Sequence, residues 1–153
     1  MMLPSLARLF DHVTPPPVTH DLGVQRARLL AQAEASPTGI LVVDAQGKKV
    51  FFNELFVRLW RLPPEVARCP DDAPTMNWVL DQIVDPAGFV EGVRYLYDHP
   101  DEQSLDEIRL RDGRTLERFS TAVIDIERKI EGRIWHFRDV TEATNAREAL
   151  KES

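Results

Sequence analysis

Two separate stretches of β pattern, residues 40–52 and 104–139, flank a helical stretch, so a sheet built from both has to close across it. Residues 40–44 are an apolar, β-branched run, Ala45-Gln46-Gly47-Lys48 carries turn chemistry, and 49–52 form a second short strand. In the later stretch 104–111 alternates, with Ile108 and Leu110 opposed to Glu107, Arg109 and Arg111. Asp112-Gly113 is a hairpin turn, 115–126 a long strand, 128–131 a loop before Gly132, and 133–139 the last strand. Between the two, Asn53 reads as the N-cap of a helix over 54–61 with Leu55, Phe56, Leu59 and Trp60 on its apolar face. Residues 62–75, rich in proline, read as loop and short turns. A helix over 75–83 and another over 87–97 follow, the second opened by Asp85-Pro86. The order predicts an α+β fold: a five-stranded antiparallel sheet with helices inserted between strands 2 and 3 and packed on one side.

The ends are helical as well. After the stiff break at Pro15-Pro16-Pro17, residues 21–35 suit a flanking helix with Asp21 as N-cap and Leu22, Leu29, Leu30 and Ala33 at helical spacing. From Thr141 the chain is helical again. The expected organisation is therefore a tail over 1–20, a domain over 21–140 including the flanking helix, and the start of a linker helix over 141–153. Leu3, Leu6, Leu9, Phe10 and Val13 line one face of the tail, which is expected to dock on the domain or a partner.

With 19 basic and 25 acidic side chains the net charge is -6, which argues against nucleic acid as the main partner. The single Cys69 removes any disulfide framework or multi-cysteine metal site and fits a reducing cytoplasm. No apolar run reaches the ~18 residues of a membrane span, and MMLPSLARLFDHV lacks the parts of a signal peptide.

Four features together resemble a PAS domain: Ser36-Pro37-Thr38-Gly39-Ile40-Leu41-Val42-Val43-Asp44 with Gly47 and Asn53; the helical middle; Arg111-Asp112-Gly113-Arg114; and the exit Gly132-Arg133-Ile134-Trp135-His136-Phe137-Arg138-Asp139-Val140-Thr141-Glu142. The resemblance spans residues 22–145. It implies a cytoplasmic bacterial sensor, homodimeric, that binds a small ligand or a partner and relays a conformational signal. The effector would be a histidine kinase of two-component type or a diguanylate cyclase, in cis or in trans. It also implies that Asp139, Thr141 and Glu142 form the signal junction. There Thr141 can cap the last helix, Glu142 suits the helix dipole, and Asp139 can pair with Arg138 or another arginine. Ala143, Ala146, Leu150 and Ser153 follow the spacing of a coiled-coil seam.

Strand parity sorts the expected ligand pocket. By the resemblance Phe137 faces inward, which brings Arg133 and Trp135 to the same face, with Leu116, Arg118, Ser120 and Ala122 on the strand before and Leu41 and Val43 on the first. Phe56, Trp60 and Trp78 complete the set. The expected cavity is apolar with one buried cation, Arg118. Its anion is either a ligand carboxylate or an Asp or Glu on the helices, and an inverted parity would place Arg118 outside. The outer face, with Phe119, Val123, Ile134 and His136, is apolar for a solvated surface. It is expected to be covered by the 21–35 helix, Leu22 and Leu29 included, of its own chain or a second copy, and this face is what predicts the homodimer.

No cofactor is assigned. Cys69 lacks the Asn-Cys-Arg-Phe-Leu-Gln context of the photoactive LOV branch, which argues against a flavin. His12, His20, His99 and His136 are poorly placed for haem. No catalytic constellation appears, since Asp71-Asp72, Asp98, Asp101, Glu102 and Asp106-Glu107 read as solvated charge and no phosphate-binding loop or nucleophile elbow is present. Two other functions stay open. One is a ligand-free interaction module whose pocket Trp60, Trp78 and Trp135 fill. The other is a small cone-shaped, isomerase-like α+β enzyme, which needs a carboxylate inside the cavity, and no acid is expected at an inward strand position.

Overall fold

Antiparallel pairing joins the two β stretches directly. In the computed structural model, which describes residues 18–152, Gly39–Asp44 (β1) pairs with Lys49–Phe52 (β2) on one side and with Ile130–Asp139 (β5) on the other. Thr115–Ile124 (β4) lies next to β5, and Ser104–Arg109 (β3) forms the far edge, giving the order β2-β1-β5-β4-β3. The first and last strands are thus central, so the hairpin and the meander form one sheet. Helices Glu54–Trp60 (α2), Pro64–Arg68 (α3), Ala73–Leu80 (α4) and Pro86–Asp98 (α5) connect β2 to β3, and Thr141–Glu152 (α6) follows β5. The core lies between one sheet face and these helices. It is built on Leu41, Val43, Phe56, Trp60, Ile83, Leu96, Leu116 and Phe137.

Asn53 sets how the helices leave the sheet. Its buried carboxamide oxygen accepts from the amides of Phe56 and Ile40, and its amide nitrogen donates to Thr38 O, so one side chain caps α2 and anchors β1. Gly39 permits the close approach, because a Cβ there would stand 2.8 Å from the Phe56 Cα. At the β3–β4 connection Gly113 has φ +98, the left-handed conformation that the turn requires.

Several boundaries differ from the sequence reading. Val18–Glu34 (α1) begins earlier than expected, which places Asp21 within the helix rather than at its cap. It belongs to a unit that ends at Ala35, and the second unit starts at Ser36. The loop expected over 62–75 contains the short helix α3. Helix α4 stops at Leu80 because Ile83 pairs with Leu110 in a β-bridge. Strand β5 begins at Ile130, since Asp125 Oδ1 accepts the amides of Glu127 and Lys129 and tightens the turn to the residues between. The apolar tail positions, His12 and Ser153 lie outside the described residues, as do the side chains of His20 and Leu22.

Candidate functional site

The register sets Arg118 opposite Phe137 and Ser120 opposite Trp135. Arg133, Trp135 and Phe137 are all buried against the helices, as are Arg118 and Ser120. Between sheet and helices a cavity of about 30 Å³ remains. Leu41, Phe56, Phe89, Val93, Trp135 and Phe137 form its apolar wall, and Asp72, Met76 and Tyr97 close one end. Its volume suits one or two waters. Trp60 is fully buried behind this wall, edge-on to Phe137 with centroids 5.3 Å apart, and Val43 is buried beside it. Trp78, expected in the pocket, is instead 38% exposed at the rim and turns only its indole N–H inward, to Trp60 O at 2.8 Å. The reason is helical phase: Thr75 and Val79, one turn apart, occupy the buried face of α4.

The interior holds two buried cations rather than one. Arg118 is 2% exposed, and its Nε and Nη2 donate to the Asp106 carboxylate at 3.0 and 2.6 Å. Its guanidinium lies 4.6 Å from the Phe89 centroid and 5.6 Å from that of Trp135. The anion is therefore internal, but it comes from the neighbouring strand β3 and not from a helix. Asp106 is thus not merely solvated charge, although its side chain is 46% exposed at the sheet edge and forms no part of the inner cavity wall. Its parity with Ile108 was the available signal. Arg133 is the second cation. It has no carboxylate partner and donates to Ser120 Oγ at 2.7 Å, Pro100 O and Glu102 O. Burial holds its pKa below the usual range. It secures the segment after α5 to the sheet, and its parity with Trp135 had already pointed inward.

Asp72 also departs from the reading of Asp71-Asp72 as solvated charge. Burial pushes its carboxyl up to about 6, against the pull of Lys49. Its Oδ1 is buried and has no hydrogen-bond partner. Lys49 does not supply one, because its Nζ donates to Val66 O, Ala67 O and Thr75 Oγ1. Desolvation lowers the Lys49 pKa, with Asp72 and Cys69 opposing. Tyr97 is raised first by burial and then by Asp72, with a Trp135 hydrogen bond and Arg133 acting the other way. Among the described residues no cluster of three or more His, Cys, Asp or Glu side chains could hold a metal.

At the exit of the sheet, Asp139 Oδ1 accepts from the Thr141 amide at 2.9 Å and from its hydroxyl at 2.5 Å. The Thr141 hydroxyl oxygen in turn accepts from the Thr115 amide at 3.0 Å. Thr141 therefore does not cap α6 as expected but ties it to β4. Asp139 binds no arginine, since Arg138 pairs with Glu117. Glu142 is exposed in the first turn of α6. The helix is held to β3 by Arg109–Glu148 and Arg147–Glu107 pairs. Its buried position is Thr144, whereas Ala143, Ala146 and Leu150, the expected seam, are exposed.

On the outer sheet face Phe119, Val123, Ile134 and His136 are half-buried. His136 Nδ1 meets Thr38 Oγ1 at 3.2 Å, its ring lies 5.8 Å from Phe119, and burial lowers its pKa. On α1, Val24 and Leu29 are 45% and 65% exposed.

Neither a family model nor a curated protein matches the sequence. Solved structures do. A PAS domain from Colwellia psychrerythraea is similar at TM-score 0.54 and 21% identity, over 80% of this chain and 99% of that one. The PAS domain of BvgS from Bordetella pertussis gives 0.56 and 17%, over 84% and 98%. The chain has a PAS fold. The sensor region of a sensor histidine kinase is similar too, at TM-score 0.54 and 15% identity, over 69% of this chain and 40% of that one. In this PAS fold no helix among the described residues is long and apolar enough to cross a membrane.

Proposed function

We propose that this chain is a sensory PAS module of a cytoplasmic bacterial signalling protein. It responds to a partner or to a molecule of a few heavy atoms and passes its state to an effector such as a histidine kinase or diguanylate cyclase. The observation that carries this reading is the junction. One hydroxyl, that of Thr141, joins the end of β5, the start of β4 and the first turn of α6, so a shift of the central strands moves the helix. Such a relay needs two arrangements of sheet and helix whose populations a ligand or partner biases. The cavity of about 30 Å³ favours a small ligand over flavin or haem, because sites for drug-sized molecules measure roughly 300–1,000 Å³. The outer face pairs with a second copy. A ligand-free interaction module is the second reading, favoured by the complete burial of Trp60 and Leu116.

Native mass spectrometry of the purified chain tests both parts in one measurement. The expected result is a dimer at twice the bare mass, or with a small adduct. A flavin or haem adduct, or monomer alone at micromolar concentration, overturns the proposal.

A further inference from the structure

An outer pocket of about 440 Å³ lies between the β1–β2 turn and the start of α4, bounded by Gln46, Gly47, Asp71 and Ala73. Asp72, Met76 and Tyr97 belong both to its wall and to that of the inner cavity. These three side chains stand where the two spaces adjoin. Two of them can yield: Met76 is an unbranched, adaptable side chain, and Tyr97 is 45% exposed. The third, Asp72, carries a buried oxygen with no donor. A buried acceptor left unmet is costly, and a charge-assisted donor relieves that cost best. The neighbouring cation cannot relieve it, since the donors of Lys49 are engaged by Val66, Ala67 and Thr75. Asp71 adds a second negative charge on the outer side. Beyond the gate the wall is aliphatic and aromatic. The two buried guanidinium groups form no part of it, and Arg118 is neutralised by Asp106.

We propose that Asp72 receives the ammonium head of a small alkylamine, which enters through the outer pocket and seats its short apolar end in the inner cavity. The proposal rests on the small-ligand arm of the sensory reading and names its chemistry. The size of the cavity limits the part of the ligand beyond Asp72 to one or two carbons unless Met76 swings out.

n-Propylamine is a suitable probe, with n-propanol and propionate as matched controls. The Trp135 indole N–H resonance reports occupancy, because that ring lines the cavity. The expected result is a saturable shift with n-propylamine only, weakened about tenfold or more in Asp72→Asn, which is a difference of about 1.4 kcal/mol. Ala73→Phe, at an exposed position on the outer pocket, should also abolish the shift while leaving the fold intact. The proposal is overturned if n-propylamine leaves the resonance in place, if n-propanol binds as well, or if Asp72→Asn binds equally. None of these outcomes alters the dimer or bare-mass result, so failure here is separable from failure of the sensory reading.

Discussion

At the scale of single residues, charge inside the domain is handled in three different ways. Arg118 has a carboxylate, Arg133 has only carbonyls and a hydroxyl, and Asp72 has one oxygen with nothing. The pH consequence is clearest for Asp72, whose folded carboxyl sits at about 6 against an ordinary 3.8. The folded state therefore binds the proton more tightly than the unfolded chain does. Stability contributed by this group is full below about pH 4 and is lost as pH rises toward 6. Asp72→Asn removes that loss, so it should stabilise the protein at pH 7 on the order of 1–3 kcal/mol and much less at pH 4. Denaturant unfolding of both proteins at the two pH values measures this. Wild type more stable than the variant at pH 7 would contradict it. The buried Arg118 was legible from strand parity once the resemblance set Phe137 inward. Asp72 was not, because adjacent aspartates in a proline-rich segment carry no periodicity that shows which one turns inward.

At the scale of elements, the junction depends on one side chain shared by three segments. Thr141→Val keeps the shape but removes the donor to Asp139 and the acceptor for the Thr115 amide. The expected cost is about 1–2 kcal/mol. It should appear as faster amide exchange at Thr115 and in the first turn of α6. Unchanged exchange at Thr115 would show that the hydroxyl does not couple strand and helix. Turn chemistry and capping made most elements legible: Asn53 opens α2 as read, and Asp112-Gly113 turns between β3 and β4. The side by which α6 meets its own sheet was not legible. Spacing places Ala143, Ala146 and Leu150 on one side, which the structure leaves exposed, and Thr144 is the position buried in the domain, which spacing does not encode.

At the scale of the whole molecule, one sheet serves two surfaces. The inner face is consumed by the core, and the outer face keeps Phe119, Val123, Ile134 and His136 half-buried. If the outer face pairs two copies, Ile134→Lys should convert dimer to monomer in sedimentation velocity. Its melting temperature should change little, because the side chain lies outside the core cluster. A variant that remains dimeric would move the interface elsewhere.

Local chemistry in the sequence determined the order of strands and helices, the α+β class and the shared face of Arg133, Trp135 and Phe137, while the resemblance chose that face as the inner one. These depend on periods of two and 3.6 residues and on turn residues, which act over a few positions. Tertiary structure alone decided that carbonyls of residues 100 and 102 hold Arg133, that Trp78 turns to the rim, and that Asp72 closes a nearly filled cavity. Each of these depends on which distant segments meet and on how much volume their side chains leave. That volume is a small difference between large packed quantities, and no stretch of sequence carries it by itself.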